Sequence, residues 1–336
     1  MSTLCITVVL TALIFEYTNG FHDAANAIAT SISTRALKPW QALGMAGSLN
    51  FLGALLSTAV AATVATGIVD PHMVNLHCVL AGLIGAIAWN LLTWYYGIPS
   101  SSSHCLICGI VGATLATYGT GVQWLNLVNK VLLPTVISPL TGLVVGICLT
   151  ILMAWIFAHH PHGKVNRGFR RIQPFSAALL ALSHGQNDAQ KTMGIIFLAL
   201  VADNQWDVAK GVPMWVKFVC ALVIAIGTMV GGKRIIRTMG SRITPLRNAD
   251  GFAAELTASS VLLTTGHLGF PVSTTHVITS AIMGVGATNR IKAVRWGITR
   301  AIVTAWLLTL PASAAIGAFV AYLMRILVQA GLLAPK

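Results

Sequence analysis

Acidic residues are scarce in this chain. Only 8 of its 336 residues are Asp or Glu, against 21 Lys or Arg, and charged residues of both signs make up 9%. A water-soluble domain carries about 25% charged residues, so the polar surface of a soluble globule is missing. A lipid-facing surface removes the deficit, because hydrocarbon demands no charge. The net charge of +13 would suggest nucleic acid on a soluble protein. Here the Lys and Arg residues sit in short stretches between apolar runs, as in a membrane protein that keeps its cations on one side, and nucleic acid is rejected as a partner. Cysteine is also sparse. Cys105 and Cys108 form a C-x-x-C, but it lies in an apolar run with no βαβ pattern beside it, which gives a redox or metal role no support. Cys5, Cys78, Cys148 and Cys220 read as small packing residues. The N-terminus has no basic n-region, so no cleavable signal is expected. The chain shows neither a nucleophile–base pair nor a nucleotide loop, and it is not expected to be an enzyme or to hold a cofactor.

Apolar sequence is abundant: 56% of residues are hydrophobic, and the mean hydropathy is +0.79. A spanning helix needs roughly 20 apolar residues. Apolar segments lie near 3–19, 41–66, 76–97, 105–118, 131–158, 174–201, 212–231, 252–268, 276–288 and 298–328. Some are long enough to tilt or to divide. The expectation is an all-α integral membrane protein of about 10–12 transmembrane segments. Basic residues set its direction. Arg35 and Lys38, then Lys164, Arg167, Arg170 and Arg171, then Lys233, Arg234, Arg237, Arg242 and Arg247, and finally Arg290, Lys292 and Arg295 mark four cytoplasmic loops. The loop 67–77 has no Lys or Arg, and 203–215 has two acids and one Lys; both go outside, with the N-terminus.

The chain repeats itself. Residues 20–26 (GFHDAAN) and 185–191 (GQNDAQK) share G-x-x-D-A, and 97–104 (GIPSSSSH) and 269–276 (GFPVSTTH) share G-x-P-x-S-[ST]-[ST]-H. The offsets are similar, 188 − 23 = 165 and 276 − 104 = 172. On the orientation above, Asp23 follows an inward span and Asp188 lies in an outward one. The halves are therefore expected to be inverted repeats, each with a re-entrant or broken helical hairpin, as in many secondary transporters. The expected layout is a first repeat over 1–158, a basic cytoplasmic linker over 159–173 and a second repeat over 174–336.

The repeated motifs carry chemistry. Gly and Pro break the helix at each tip, and a broken backbone at membrane depth has to line a cavity or be buried in protein. The helices starting near Ser103 and Thr275 present free N–H groups and a positive dipole end. Ser101, Ser102, Ser103, Ser273, Thr274 and Thr275 add hydroxyls, so two facing tips can enclose a tetrahedral oxyanion without Arg. The plainer alternative is a pair of ordinary helix N-caps. Four acids, Glu16, Asp23, Asp188 and Glu255, fall in or beside apolar spans, where a carboxylate is costly and marks function. Asp23 and Asn26 are three apart and share a helix face. Glu16 lies two turns up that face, and Asn187 adjoins Asp188. Carboxylate and amide oxygens at Asp23, Asn26, Asn187 and Asp188 suit sodium, and a carboxylate of raised pKa suits a proton. Lys191, three after Asp188, reads as an intrahelical ion pair or as a phosphate contact. His22, His104, His184 and His276 flank the motifs and read as packing residues before proton relays. His159, His160 and His162 read as a basic turn, and no pair has zinc spacing within one helix.

These motifs resemble the inorganic phosphate transporter (Pit) family. The resemblance rests on GFHDAANAIATSISTRALKP (20–39), GIPSSSSH (97–104), SHGQNDAQKTMG (183–194) and GFPVSTTH (269–276), with support from WNLLTWYYG (89–97) and AWLLTLPA (305–312). It covers essentially the whole chain. It implies phosphate uptake through a multi-pass cell membrane protein by cation symport, with a proton or sodium as the co-transported ion, and a homodimer. The family's two aspartates fall on Asp23 and Asp188, its hairpin hydroxyls on Ser101–Ser103 and Ser273–Thr275, and its glutamate on Glu255; Glu16 joins the cation-coupling set. His22 stands where many relatives have Asn, and the region 79–83 is apolar where some have Glu. Both departures point to a proton-coupled or metal-phosphate branch, with a divalent metal travelling as metal-phosphate. The basic loops are candidate docking sites for a soluble cytoplasmic regulator. A sulfate or other oxyanion carrier, and a channel or membrane scaffold, are the alternatives.

Overall fold

The computed structural model describes residues 1–71 and 73–332. Residue 72, in the loop 67–77, and residues 333–336, at the end of the second repeat, lie outside the described residues. Apart from an isolated bridge between Val69 and Val122, the regular structure described is helical. The first half holds α1 (Thr3–Ser33), α2 (Pro39–Ala54), α3 (Ala59–Gly67), α4 (Leu76–Tyr96) and α5 (Ser102–Tyr118). It ends with α6 (Trp124–Leu127), which runs through a π-turn into α7 (Leu133–Ile156). The second half holds α8 (His162–Ala202), α9 (Met214–Val230), α10 (Lys233–Arg237), α11 (Asn248–His267), α12 (Thr274–Asn289) and α13 (Trp296–Gln329).

Each of the ten expected apolar segments falls on helix. Among the described residues, four helices are long and apolar enough to cross a membrane, Thr3–Ser33, Leu76–Tyr96, Trp124–Ile156 and Trp296–Gln329. The number rises to six when two broken pairs, α2 with α3 and α9 with 233–242, each count as one span. The pairs bend by 67° and 64°. The arms α5, α11 and α12 do not join that set: α5 is short at 17 residues and α12 at 16. Two boundaries differ from the sequence expectation. Helix α1 does not stop near residue 19 but continues through the GFHDAAN motif, because backbone at membrane depth has to satisfy itself. The basic linker is mostly not a loop: from His162 onward it forms the first turns of α8.

The motif glycines have distinct jobs. A Cβ on Gly20 would lie 2.7 Å from Ile224 O and 2.9 Å from Gly227 Cα, and one on Gly185 would lie 2.3 Å from Asn50 O. In both halves this glycine admits the neighbouring broken helix at backbone contact. Gly97 and Gly269 instead adopt left-handed φ of 68° and 76°, ending α4 and α11 in the way that favours glycine.

Helices α1 and α8 run antiparallel along their length. Ser2 N and Oγ donate to the Asp203 carboxylate at 2.9 and 2.7 Å, Thr192 Oγ1 donates to Glu16, and Thr34 Oγ1 donates to Gln173 Oε1 at 2.8 Å. Packing is exchanged between halves: α2 lies on α8 as α9 lies on α1, and α7 packs on α11 and α12 as α13 packs on α4 and α5. The basic stretches gather at one end. There Asn248 Nδ2 reaches Thr34 O and Gln173, its backbone N–H reaches Asn166, Arg247 reaches Asn289, and Arg295 N reaches Ile243 O.

Candidate functional site

The motifs of both halves converge where α1 and α8 pass the two hairpin tips. At each tip a serine caps the returning helix. Ser101 Oγ accepts from His104 N at 3.2 Å, and Ser273 Oγ accepts from His276 N at 3.3 Å. The plainer N-cap reading therefore holds for these two hydroxyls. The next two residues of each tip face other elements. Ser102 Oγ donates to Asn90 Oδ1 at 3.0 Å. Thr274 Oγ1 donates to Asp188 Oδ2 at 3.0 Å, and Asn26 Nδ2 donates to Thr274 Oγ1 at 3.1 Å and Thr275 Oγ1 at 2.9 Å. The helices that leave the tips touch, with the rings of His104 and His276 4.9 Å apart and His276 stacked on Trp306 at 4.0 Å. Trp306 Nε1 also donates to Pro99 O at 3.0 Å, and Thr135 Oγ1 lies 2.7 Å from His104 Nε2.

Lys191 does more than either sequence reading allowed. It pairs with Asp188 on its own helix, and its Nζ also donates to Ser103 Oγ of the first tip and to Val272 O of the second, at 2.9 Å for the latter. One ammonium thus ties a helix to both tips. Asn26 holds the matching place in the first half, three residues after its aspartate, and likewise reaches the opposite tip. That equivalence was readable as soon as the two motifs were aligned.

The acids form a compact centre. Ligand atoms of Asp23, His184 and Asp188 all lie within 4.8 Å of one another, and all three residues are buried. His22 Nδ1 lies 2.6 Å from Asp23 Oδ1, with its Nε2 3.2 Å from Thr93 Oγ1. His184 Nε2 lies 3.0 Å from Asp188 Oδ2, and its Nδ1 lies 3.2 Å from Asn50 Oδ1. The histidines are thus partners of the carboxylates as well as packing residues. Both amide atoms of Asn187 are buried and have no hydrogen-bond partner among the described residues. That is the mark of a group aimed at something other than protein.

Glu16 and Glu255 are not part of the Asp23–His184–Asp188 group, although Glu16 is near enough to feel the charges of Asp188 and Lys191. Glu16 accepts from Thr192. Glu255 accepts from Thr30 at 2.6 Å, from Gln173 Nε2 at 3.0 Å and from Ser176 at 2.5 Å, all neutral donors. The arrangement joins two helix N-termini, hydroxyls and one ammonium, which suit an oxyanion, to carboxylate and amide oxygens, which suit a hard cation.

The chain is similar to known phosphate transporters. A profile described as "Phosphate transporter family" matches residues 19–317. The chain is 44% identical over 326 residues to a protein of Bacillus subtilis (strain 168) named "Probable low-affinity inorganic phosphate transporter", covering 96% of this chain and 98% of the relative. A protein of the same name from Rhizobium meliloti (strain 1021) is 47% identical over 317 residues, covering 94% and 95%. A solved structure titled "The sodium-dependent phosphate transporter" superposes with a TM-score of 0.88 at 24% identity, covering 97% of this chain and 100% of that one, and shares its fold.

Proposed function

We propose, from the premise that this chain belongs to the phosphate transporter family, that it carries inorganic phosphate across a cell membrane by cation symport. The observation that carries the reading is the crossing of Lys191 and Asn26 to the hydroxyls of opposed tips beside a buried Asp23–Asp188 pair. Phosphate sits between the tips, taking the N-termini of α5 and α12, with Ser101, Ser102, Ser103, Ser273, Thr274 and Thr275 around it. Lys191 is the fixed positive charge. A dianion beside two carboxylates needs further positive charge, which the co-transported proton or sodium supplies at Asp23, Asn26, Asn187 and Asp188. Asn187, whose amide has no hydrogen-bond partner among the described residues, is the ligand least committed to other protein groups. The Asp23–His184–Asp188 group also fits a divalent metal travelling with phosphate as one cargo.

The halves act as inverted repeats, supported by the antiparallel α1–α8 pair and the exchanged packing of α2 with α9 and of α7 with α13. Alternating access then comes from one set of repeat elements moving against the other. The end that gathers the basic residues faces the cytoplasm, which puts the N-terminus outside and makes that end a docking face for a soluble regulator. The working unit is a homodimer in the lipid bilayer. Phosphate is favoured over sulfate because it retains a proton near neutral pH and can donate it to a neighbouring carboxylate.

The test is uptake of radiolabelled phosphate by proteoliposomes under imposed proton or sodium gradients, for wild type and Asp188→Asn. Uptake driven by one gradient and lost in Asp188→Asn is expected. Strict dependence on a divalent ion would mark metal-phosphate as the cargo. Uptake that saturates but ignores every ion removes the coupling role of the acids. No phosphate uptake under any condition removes the substrate, and sulfate is tried next.

A further inference from the structure

Helix α1 passes three levels of buried acid, two of its own and one on α11. Glu16 precedes Asp23 by seven residues (23 − 16 = 7). Thr30, whose hydroxyl holds Glu255, follows Asp23 by seven (30 − 23 = 7). At the rise of an α-helix the levels are about 10 Å apart. The middle level is the Asp23–Asp188 centre. The level of Glu255 is complete, since Thr30, Gln173 and Ser176 satisfy both of its oxygens.

The level of Glu16 is not complete. Glu16 is 0% exposed and Asn19, one turn on, is 2% exposed. Thr192 of α8 donates to Glu16 Oε2. The Asn19 amide lies within hydrogen-bonding reach of the Glu16 carboxylate, yet Glu16 Oε1 and Asn19 Oδ1 have no partner at hydrogen-bond geometry among the described residues. Both atoms are acceptors, so neither satisfies the other. A buried ionised carboxylate without compensation costs several kcal/mol. The nearest fixed cation, Lys191, is already bonded to Asp188, Ser103 and Val272. What the place lacks is a positive group. Carboxylate, amide and hydroxyl oxygens together are a ligand set for a small hard cation. A proton on Glu16, donated to Asn19, meets the same need.

We propose that Glu16, with Asn19 and Thr192, is a separate cation station on the N-terminal side of α1. The co-transported cation stops there between one membrane face and the Asp23–Asp188 centre. The inference rests on the symport reading and adds a site to it. Phosphate, one level away, does not touch Glu16. Loss of this station therefore uncouples the cation from phosphate without emptying the phosphate site.

The test compares two measurements on the full chain in proteoliposomes. One is accumulation of radiolabelled phosphate under a proton gradient or a sodium gradient, which also says which cation uses the station. The other is exchange of labelled for unlabelled phosphate with identical ions on both sides. Glu16→Gln is expected to lower accumulation at least about tenfold and to slow exchange by less than about threefold. Glu16→Asp is expected to recover part of the accumulation. Thr192→Val, which leaves Glu16 in place, is expected to show the same split more weakly and supplies the readout if Glu16→Gln folds poorly. Wild-type accumulation in both Glu16→Gln and Thr192→Val overturns the station, as does an equal loss of exchange and accumulation. Failure of the symport reading looks different: wild type itself then accumulates phosphate under neither gradient, and the station falls with it.

Discussion

Replacing Lys191 with Met tests whether the site is built around one ammonium. Lys191 is 2% exposed, and its Nζ serves Asp188, Ser103 and Val272 O. Met fills similar space and removes the charge. Asp188 then keeps Thr274 Oγ1 at 3.0 Å and faces His184 Nε2 at 3.0 Å, but has lost the one Lys or Arg paired with it among the described residues. Breaking a buried ion pair from one side costs roughly 3–5 kcal/mol, because the other charge stays buried and uncompensated. The two surviving neighbours of Asp188 put the expected loss at the lower end, about 3 kcal/mol. Adding Asp188→Asn removes the stranded charge and is expected to return more than about half of that stability, a coupling that a double-mutant cycle isolates. The assay is unfolding of the detergent-solubilised protein for wild type, both single variants and the double variant, with phosphate uptake measured in parallel. Uptake stays lost in the double variant, since nothing then ties α8 to both tips. A Lys191→Met protein within about 0.5 kcal/mol of wild type, or a double variant no more stable than Lys191→Met, refutes this account of the site.

Two further substitutions probe the packing that holds the motifs in place. Gly185→Ala puts a Cβ 2.3 Å from Asn50 O and 2.5 Å from Asn50 Cα, both backbone atoms. Overpacking of this kind costs about 1–3 kcal/mol, so lower thermal stability and lower uptake are expected. Gly163→Ala, which meets nothing within 4 Å, is expected to lose neither, and equal behaviour of the two variants would break the argument. Gln190→Ala removes the side-chain oxygen that accepts from Val60 N at 2.8 Å and Ala61 N at 3.3 Å. Loss of a helix cap costs about 1 kcal/mol, which predicts amide hydrogen exchange about fivefold faster at the start of α3; unchanged exchange there would show that α3 is held by other means.

Much of the fold was legible because each repeated residue has one physical reason. Gly97 and Gly269 end helices in left-handed φ, Ser101 and Ser273 cap the next ones, and His104 and His276 meet where the helices leaving the tips touch. Such local rules act within a few residues and show in the sequence. The length of α1 did not, because hydropathy falls at the polar motif while the helix continues inside protein. The partners of His22 were hidden as well: Thr93 lies on α4 and Ser100 on the first tip, 71 and 78 residues away, and no local pattern joins them. Trp306 was legible only as an apolar residue in the last span, since its bond to Pro99 O depends on α13 crossing to the first hairpin.

The two halves share their scaffold and differ in their chemistry. Positions that shape backbone are the same or similar in both: Gly20 with Gly185, Gly97 with Gly269, Ser101 with Ser273. Positions that face the centre differ. His22 opposes Asn187, and Asn26 opposes Lys191. If both halves carried Asn at the second of these positions, two aspartates would face the anion with no fixed positive charge. If both carried Lys, each aspartate would be neutralised from within and a cation would have only the anion left to balance. One Lys against two Asp leaves the centre one charge short, and His22, set on Asp23 at 2.6 Å, distinguishes the two carboxylates further. On this reasoning the asymmetry sets the need for a travelling cation. Asn26→Lys, which restores symmetry, is expected to weaken the dependence of phosphate uptake on the ion gradient; undiminished dependence in a folded, transporting variant would separate coupling from the charge count.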